Sequence, residues 1–156
     1  MGVGVVGYPT MENDIQVGQE LSITHDGRPF LMHWSRTWRL DENGQRIEPL
    51  AMETGFWRPQ PDNEVELLLV HPTGISETWY GKVTVTGILN AQITGARVEL
   101  KTDAIMRTSS AKEVTAGERL YGLVDGHIGW VYDMAAQGVP LKSHASFHLT
   151  KVSNDE

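Results

Sequence analysis

The chain has 156 residues, of which 40% are hydrophobic and 21% charged, a balance that fits one globular domain over residues 1–156. Its formal net charge of −7, from 13 basic and 20 acidic side chains, argues against a nucleic-acid-binding surface and against docking on an anionic membrane. Cysteine is absent, which excludes disulfides, thiolate nucleophiles and iron–sulfur clusters.

Short segments rich in β-branched and aromatic residues follow one another along most of the chain. The first seven residues are small and β-branched, and they favour either a strand or a glycine-rich turn. From residue 15 onward, strands are predicted for residues 21–24, 30–40, 54–57, 65–70, 76–86, 91–101, 105–108, 118–124, 127–134 and 144–151. A helical turn or two is conceivable only at residues 110–119, where Gly117 and the β-branched residues oppose it.

Turn residues separate these predicted strands at regular intervals. Asn43-Gly44 and Asp125-Gly126 are hairpin signals, because both dipeptides adopt the left-handed backbone of tight turns. About ten strands at a spacing of about 8–12 residues are typical of an all-β sandwich or barrel. Consecutive hairpins favour an antiparallel up-and-down barrel, whose closure removes exposed strand edges. A sandwich is the alternative, and periodicity alone does not separate the two.

Residues 2–7 match the string GxGxxG, which occurs in dinucleotide-binding proteins. That function needs a strand before the glycines and a helix after them. No strand precedes them here, and Pro9 follows. We therefore do not expect nucleotide binding.

His144 and His148 are the two histidines closest in sequence. On a helix they would share one face and suit a metal, but the segment is more typical of a strand. In a strand, Ala145, Phe147 and Leu149 form the core face, and strict alternation turns both histidines outward. His148 is therefore predicted to face solvent. His144 points inward only if the preceding turn shifts the register where the strand begins.

His71 follows an apolar run and precedes Pro72-Thr73-Gly74. One interpretation is a histidine at the end of a strand that bonds to backbone groups. The other is a polar group at the mouth of a cavity. The sequence favours neither.

Eight strings in a fixed order resemble the nitrobindin family, also called peroxynitrite isomerases, in its actinobacterial form. Their ordered combination, spread over nearly the whole chain, is more specific than any one of them. They are YPT at residues 8–10, SITHDGRP at 22–29, SRTW at 35–38, ETGFWRPQPD at 53–62, HPTGI at 71–75, AKEV at 111–114, MAA at 134–136 and PLKSH at 140–144.

The resemblance implies a ten-stranded antiparallel barrel of the calycin type, similar in shape to fatty-acid-binding proteins, with ferric heme b in a cavity at one end. It implies that the protein binds nitric oxide and isomerises peroxynitrite to nitrate. The axial heme ligand of the family falls on His144, a heme-contacting threonine on Thr10, and a possible propionate partner on Lys112. The residues expected to line the cavity are Leu50, Ala51, His71 and Met134.

Two features depart from the family pattern. The family begins with a GxWxGxG motif, of which Gly2 and Gly4 are possible remnants and the Trp is missing. The first strand is therefore expected to be short, which makes the closing seam the weakest part of the predicted barrel. The segment from Thr84 to Gly95 is also longer than usual for its hairpin.

A non-enzymatic carrier of a lipid or another small apolar ligand is the alternative function, because a fold alone does not fix function. No segment approaches the about 18 apolar residues of a membrane span, and no signal peptide is visible. We therefore expect a cytoplasmic protein. Its expected partners are small molecules, peroxynitrite and nitric oxide, with a homodimer as a further possibility.

Overall fold

The computed structural model describes residues 1–152, and most of them lie in ten antiparallel strands. One 3₁₀ turn, Pro61–Asn63, is the only helical element in that range, and no helix there is long and apolar enough to cross a membrane. The strands are β1 (Gly2–Val6), β2 (Ile15–Thr24), β3 (Leu31–Leu40), β4 (Arg46–Pro59), β5 (Glu64–His71), β6 (Ile75–Leu89), β7 (Gln92–Arg107), β8 (Val114–Val124), β9 (His127–Ala136) and β10 (Val139–Leu149).

Each strand pairs with the next one in sequence, and β10 pairs back onto β1 to close the barrel. The prediction of an antiparallel up-and-down barrel is therefore confirmed, and the sandwich alternative is wrong. Closure satisfies the backbone groups of both edges, which would otherwise remain exposed.

The closing seam depends on β1, which is the shortest strand, as expected. All five of its residues pair on both sides, from Gly2 opposite Leu149 to Val6 opposite Ala145 on β10, and over the same length on β2. Gly2 and Gly4 permit this close approach, because a Cβ at either position would collide with a backbone carbonyl of β10. The seam is short, yet it closes the barrel.

One helical possibility that the sequence disfavoured is absent from the structure, and one prediction of local structure is wrong. Residues 110–119 form no helix: a loop leads into β8 at Val114, and the strand continues through the remainder of that segment. The predicted strands 91–101 and 105–108 are one strand, β7, because it stays paired with β6 along its length. The long segment from Thr84 to Gly95 forms the tip of this hairpin, where Asn90 and Ala91 take the positive φ of a tight turn.

An aromatic stack fills one part of the interior. The rings of Tyr121 and Trp130 lie 5.2 Å apart and nearly parallel, and Trp130 stacks on Phe147 at 4.6 Å. Trp57 meets Tyr121 edge-on at 5.3 Å. Buried aliphatic side chains complete this core: Val17, Val65, Leu67, Leu69, Leu100 and Leu149.

The up-and-down order sends five of the nine connections to one end of the barrel and four to the other. The connections after β1, β3, β5, β7 and β9 all lie at one end, which we call the pocket end. This topology brings residues from distant parts of the sequence together. The ends of β5 and β9, the loop before β8 and the start of β10 meet there.

Candidate functional site

A pocket of about 490 Å³ opens at the pocket end, within the usual size range of small-molecule sites. Its wall combines the ends of several strands with the loop between β7 and β8. Two histidines and a buried carboxylate contribute polar groups, the loop adds the charged Lys112 and Glu113, and the larger part of the lining surface is apolar. The lining residues are His71, Thr73, Ile75, Glu77, Ser110, Ala111, Lys112, Glu113, Val114, Tyr132, Met134, Ala136, Gln137 and His144.

A β-bulge places His144 in this pocket. Ser143 pairs with Asp133 and Ala145 pairs with Tyr132, so His144 is an extra residue with no partner on β9. A second irregularity precedes it in the same strand pair, between residues 139 and 142. Bulges re-aim side chains, and this one turns His144 inward while the alternation beyond it is kept. The sequence predicted that His144 points inward only if the register shifts where the strand begins, and the structure contains this shift.

Beyond the bulge, β10 follows the predicted alternation. Ala145, Phe147 and Leu149 are buried in the core, and His148 is exposed, as predicted. His148 lies at the opposite end of the barrel, stacked on His127 at a ring distance of 6.1 Å. It belongs to no part of the pocket wall described above.

The His144 imidazole is held on three sides. Its Nδ1 lies 2.9 Å from the carbonyl oxygen of Gly7, which only accepts a hydrogen bond, so Nδ1 carries the proton. Tyr8 and Tyr132 meet the ring edge-on at 5.6 and 5.5 Å. Burial lowers the pKa of His144, and the charge of Arg119 lowers it further, against the opposing effect of the Gly7 hydrogen bond. The ring is therefore neutral at pH 7.

This leaves Nε2 of His144 as an unprotonated nitrogen donor. It makes no hydrogen bond within residues 1–152, and the ring lines the pocket. A neutral imidazole whose far N–H is held by a backbone carbonyl is the usual arrangement of a metal-ligating histidine. No three His, Cys, Asp or Glu side chains of the described chain are grouped to hold a metal ion. A metal bound here would therefore need ligands from outside the protein, such as those that a prosthetic group supplies.

Tyr8 ties the backbone of β9 to the segment that follows β1. Its hydroxyl donates to the carbonyl of Met134 at 2.9 Å and accepts from the N–H of Ala136 at 2.9 Å. Because Gly7 and Tyr8 are adjacent, the same segment fixes both the His144 ring and the end of the strand beside it.

His71 lies at the end of β5 and its Nε2 pairs with Oε1 of Glu77 on β6. Glu77 is 4% exposed, and His71 is partly exposed in the pocket wall. The sequence left open whether His71 bonds to backbone groups at the end of a strand or lines the mouth of a cavity. In the structure it lines the pocket, and its partner is the Glu77 side chain and not a backbone group.

A buried charged network lies inside the barrel behind the pocket. Both terminal nitrogens of Arg119 donate to Glu53, at 2.9 Å each, and one also donates to the hydroxyl of Tyr121 at 3.0 Å. His33 pairs with Glu53 at 2.8 Å and accepts from the indole of Trp57 at 3.0 Å. Burial alone would raise the pKa of Glu53, but the charge of Arg119 and the hydrogen bonds outweigh it and hold that pKa far below its ordinary value.

The Arg119 guanidinium extends this network toward the pocket. Its Cζ lies 5.0 Å from the ring centre of Trp79 and 4.8 Å from that of Tyr132. Tyr132 in turn contacts His144, so a single ring separates the buried cation from the pocket histidine. Arg119 is therefore a fixed positive charge behind the pocket wall.

The structure brings together four of the seven residues predicted for the site: His71, Lys112, Met134 and His144 line one pocket. Leu50 and Ala51 line an adjoining pocket of about 530 Å³ that shares His71 and Thr73 with the first. Thr10 is exposed in the connection after β1, at the same end of the barrel but outside the residues lining either pocket.

Several residues of the site were not predicted. Glu77, Tyr132 and Arg119 occur in predicted strands, but the sequence analysis did not single them out. Tyr8 was noted as part of a family string without a role of its own. Glu77 and Arg119 could have been recognised as charged residues at inward-facing strand positions, because charged side chains are rarely buried unless they are paired.

Fold and site together define a small β-barrel that binds a small molecule beside a neutral histidine. A family model described as "THAP4-like, heme-binding beta-barrel domain" matches residues 1–151. The chain belongs to this family, which confirms the predicted resemblance and makes heme the expected cofactor.

Individual relatives agree with the family. A protein of Nocardioides sp. strain JS614 named "Peroxynitrite isomerase" is 48% identical over 96% of this chain and 85% of its own length. A "Ferric nitrobindin-like protein" of Kineococcus radiotolerans is 42% identical over 97% of this chain and 87% of its own. The crystal structure of Rv2717c from M. tuberculosis superposes with a TM-score of 0.87 at 32% identity, covering 97% and 89% of the two chains.

The residues of the pocket fit a heme group. His144 offers a neutral nitrogen, the donor type used by many heme proteins, and heme itself supplies the further iron ligands that the chain lacks. Lys112 is an exposed cation on the loop that borders the pocket, where it suits an anionic propionate. The apolar part of the wall suits the porphyrin.

Proposed function

We propose that this chain binds heme b in the pocket at the pocket end, with Nε2 of His144 as the axial iron ligand, and isomerises peroxynitrite to nitrate. The observation that carries the proposal is the state of His144. Its Nδ1–H is engaged by the Gly7 carbonyl at 2.9 Å, while its Nε2 makes no hydrogen bond within residues 1–152. The names of relatives that are 42–48% identical support the activity.

Ferric heme, when bound, supplies a Lewis-acidic iron centre of the kind that polarises a coordinated oxygen. The chain's own part is to orient the imidazole and keep it neutral. Gly7 fixes which nitrogen carries the proton, and Tyr8 and Tyr132 fix the ring plane from two sides. Because burial lowers the pKa of His144, protons compete weakly with iron for Nε2 at pH 7.

The other predicted residues have supporting roles in this proposal. Lys112 would pair with a heme propionate at the rim, where both groups remain in water. Met134 would contact the porphyrin as part of the apolar wall. Leu50 and Ala51 on β4 line the adjoining pocket, and Thr10 lies in the connection after β1 at the same end of the barrel. Nitric oxide, a small neutral molecule, would be a second ligand of the same iron.

Stopped-flow kinetics of the hemin-loaded protein tests this function. We expect the wild-type protein to accelerate peroxynitrite decay and to raise the ratio of nitrate to nitrite among the products. His144→Ala should lose both effects. His148→Ala is the matched control, since it removes an exposed histidine from the same strand, and it should behave as wild type.

Two outcomes would contradict the proposal. One is full activity in His144→Ala, which would remove this residue as the ligand. The other is a wild-type protein that binds no hemin. If that protein also carried a fatty acid through purification, the alternative of an apolar-ligand carrier would replace the enzyme.

A further inference from the structure

We propose that His71 and Glu77 form a couple that selects anionic ligands in the pocket, with His71 donating a hydrogen bond to the ligand and Glu77 positioning His71. The inference rests on the proposed function, because it concerns which ligands reach the iron. It adds a specificity-determining residue, Glu77, that the sequence did not single out.

The couple is built into two paired strands. His71 lies at the last position of β5, its backbone opposite Ile75, and Glu77 follows two residues further along β6. The side chains meet through Nε2 and Oε1. Both residues line the pocket that contains His144. The second nitrogen of His71, Nδ1, makes no hydrogen bond within residues 1–152 and is free for a ligand.

Charge balance requires a proton on this couple. In the interior, Arg119 is already engaged by Glu53 through two hydrogen bonds. That pairing leaves Glu77 with a 2% exposed side chain and with His71 as its one hydrogen-bond partner in the described chain. Burial of an uncompensated carboxylate is costly. The couple therefore holds one proton, either as carboxylic acid with neutral imidazole or as carboxylate with imidazolium.

An anion in the pocket favours the second form. The proton then lies on the imidazole, so that Nε2–H is held by Glu77 and Nδ1–H is free to donate to the anion. No proton enters or leaves, because the two forms differ only in its position between the partners. A neutral ligand gains no such charge-assisted hydrogen bond.

The other charged groups around the couple agree with this role. Arg119 lies behind the wall on β8, and Lys112 lies on the bordering loop, so both cations favour an anion. Glu113 on the same loop is exposed. Deeper in the barrel, Glu53 pairs with both His33 and Arg119. From the remaining elements of the wall, β9 and β10 contribute Tyr132 and His144. The ligand class is thus a small oxygen- or nitrogen-containing anion.

Binding of azide and of nitric oxide to the hemin-loaded protein separates this role from a structural one. Azide is a small anion and nitric oxide is neutral. We expect His71→Ala and the isosteric Glu77→Gln to weaken azide binding about tenfold more than they weaken nitric oxide binding or hemin affinity, as expected for the loss of a charge-assisted hydrogen bond. His127→Ala, an exposed histidine at the opposite end of the barrel, is the control and should change none of the three.

Nitrogen NMR of the heme-free protein provides a readout independent of the iron. We expect His71 to keep Nδ1 protonated in wild type, as both forms of the couple require, and to lose this preference in Glu77→Gln. Wild-type azide affinity in both variants, or an equal loss of nitric oxide and azide binding, would overturn the inference while leaving the proposed function intact. A wild-type protein that bound no hemin would instead overturn the proposed function, and the state of His71 by NMR would still decide whether the couple exists.

Discussion

His144 on β10 and Gly7, which directly follows β1, are joined by a 2.9 Å hydrogen bond although 137 residues separate them. The shortest strand of the barrel therefore leads into the group that orients the candidate heme ligand. Barrel closure and ligand orientation are coupled through this one segment, and a change that loosens the seam should also loosen the ring.

Tyr8→Phe should lower the free energy of unfolding by about 1–3 kcal/mol, because it leaves the carbonyl of Met134 and the N–H of Ala136 without their buried partner. Urea unfolding followed by tryptophan fluorescence measures the change. Tyr80→Phe, at an exposed tyrosine on β6, is the control and should stay within about 0.5 kcal/mol of wild type. Equal stability of both variants would show that the Tyr8 hydroxyl does not brace β9.

Glu53→Ala should cost about 3–5 kcal/mol, because it leaves the Arg119 guanidinium buried without a counter-charge. The matched surface pair is Arg58 and Glu66, which are also joined through a short contact of 2.7 Å. Glu66→Ala should cost at most about 1 kcal/mol, since water screens exposed ion pairs. Similar losses in the two variants, measured by chemical denaturation, would contradict the assigned role of the buried network.

Glu53 should also shape the acid limb of the stability curve. Its pKa in the folded protein is held far below the ordinary 4.5, so its contribution is fully present above that pH and is lost as the pH falls below it. The free energy of unfolding of wild type should therefore decline steeply below about pH 4.5. Glu53→Gln cannot titrate and should show a shallower decline. Parallel curves for the two proteins would mean that Glu53 is not held ionised by Arg119.

Lys112→Glu should weaken hemin binding several-fold, because a carboxylate would replace the cation at the rim of the pocket. Lys112→Arg should keep the affinity close to wild type, and Lys82→Glu, an equally exposed change on β6, should have no effect. None of these surface substitutions should shift the free energy of unfolding by more than about 0.5 kcal/mol. Unchanged hemin affinity in Lys112→Glu would remove Lys112 as a propionate partner.

The barrel was predictable because its determinants are local. Turn residues such as Asn43-Gly44 and Asp125-Gly126 mark hairpins, and a chain of hairpins leaves few ways to bury one face of every strand. The seam was less predictable, because its strength depends on how closely Gly2 and Gly4 let two distant strands approach. No helix forms at residues 110–119, because pairing of β8 with its neighbours adds to the opposition of Gly117 and the β-branched residues.

The candidate site was predictable only in part. Family strings indicated His144, but alternation turned it outward, and only a bulge of β10 against β9 reverses that orientation. Bulges depend on strand pairing and leave little trace in one sequence. Glu77 and Arg119 escaped notice for a similar reason: their partners come from other strands, so the pairing that makes them tolerable inside the barrel is visible only in three dimensions.

The measurement that tests the central claim most directly is a hemin titration of wild type, His144→Gly and His148→Gly, followed by the Soret absorption band. We expect wild type and His148→Gly to give the same saturable spectrum of histidine-ligated ferric heme. His144→Gly should lose that spectrum and regain it when free imidazole is added, since the ligand would then occupy the space left by the side chain. A wild-type spectrum in His144→Gly without imidazole would contradict the assignment of His144 as the heme ligand.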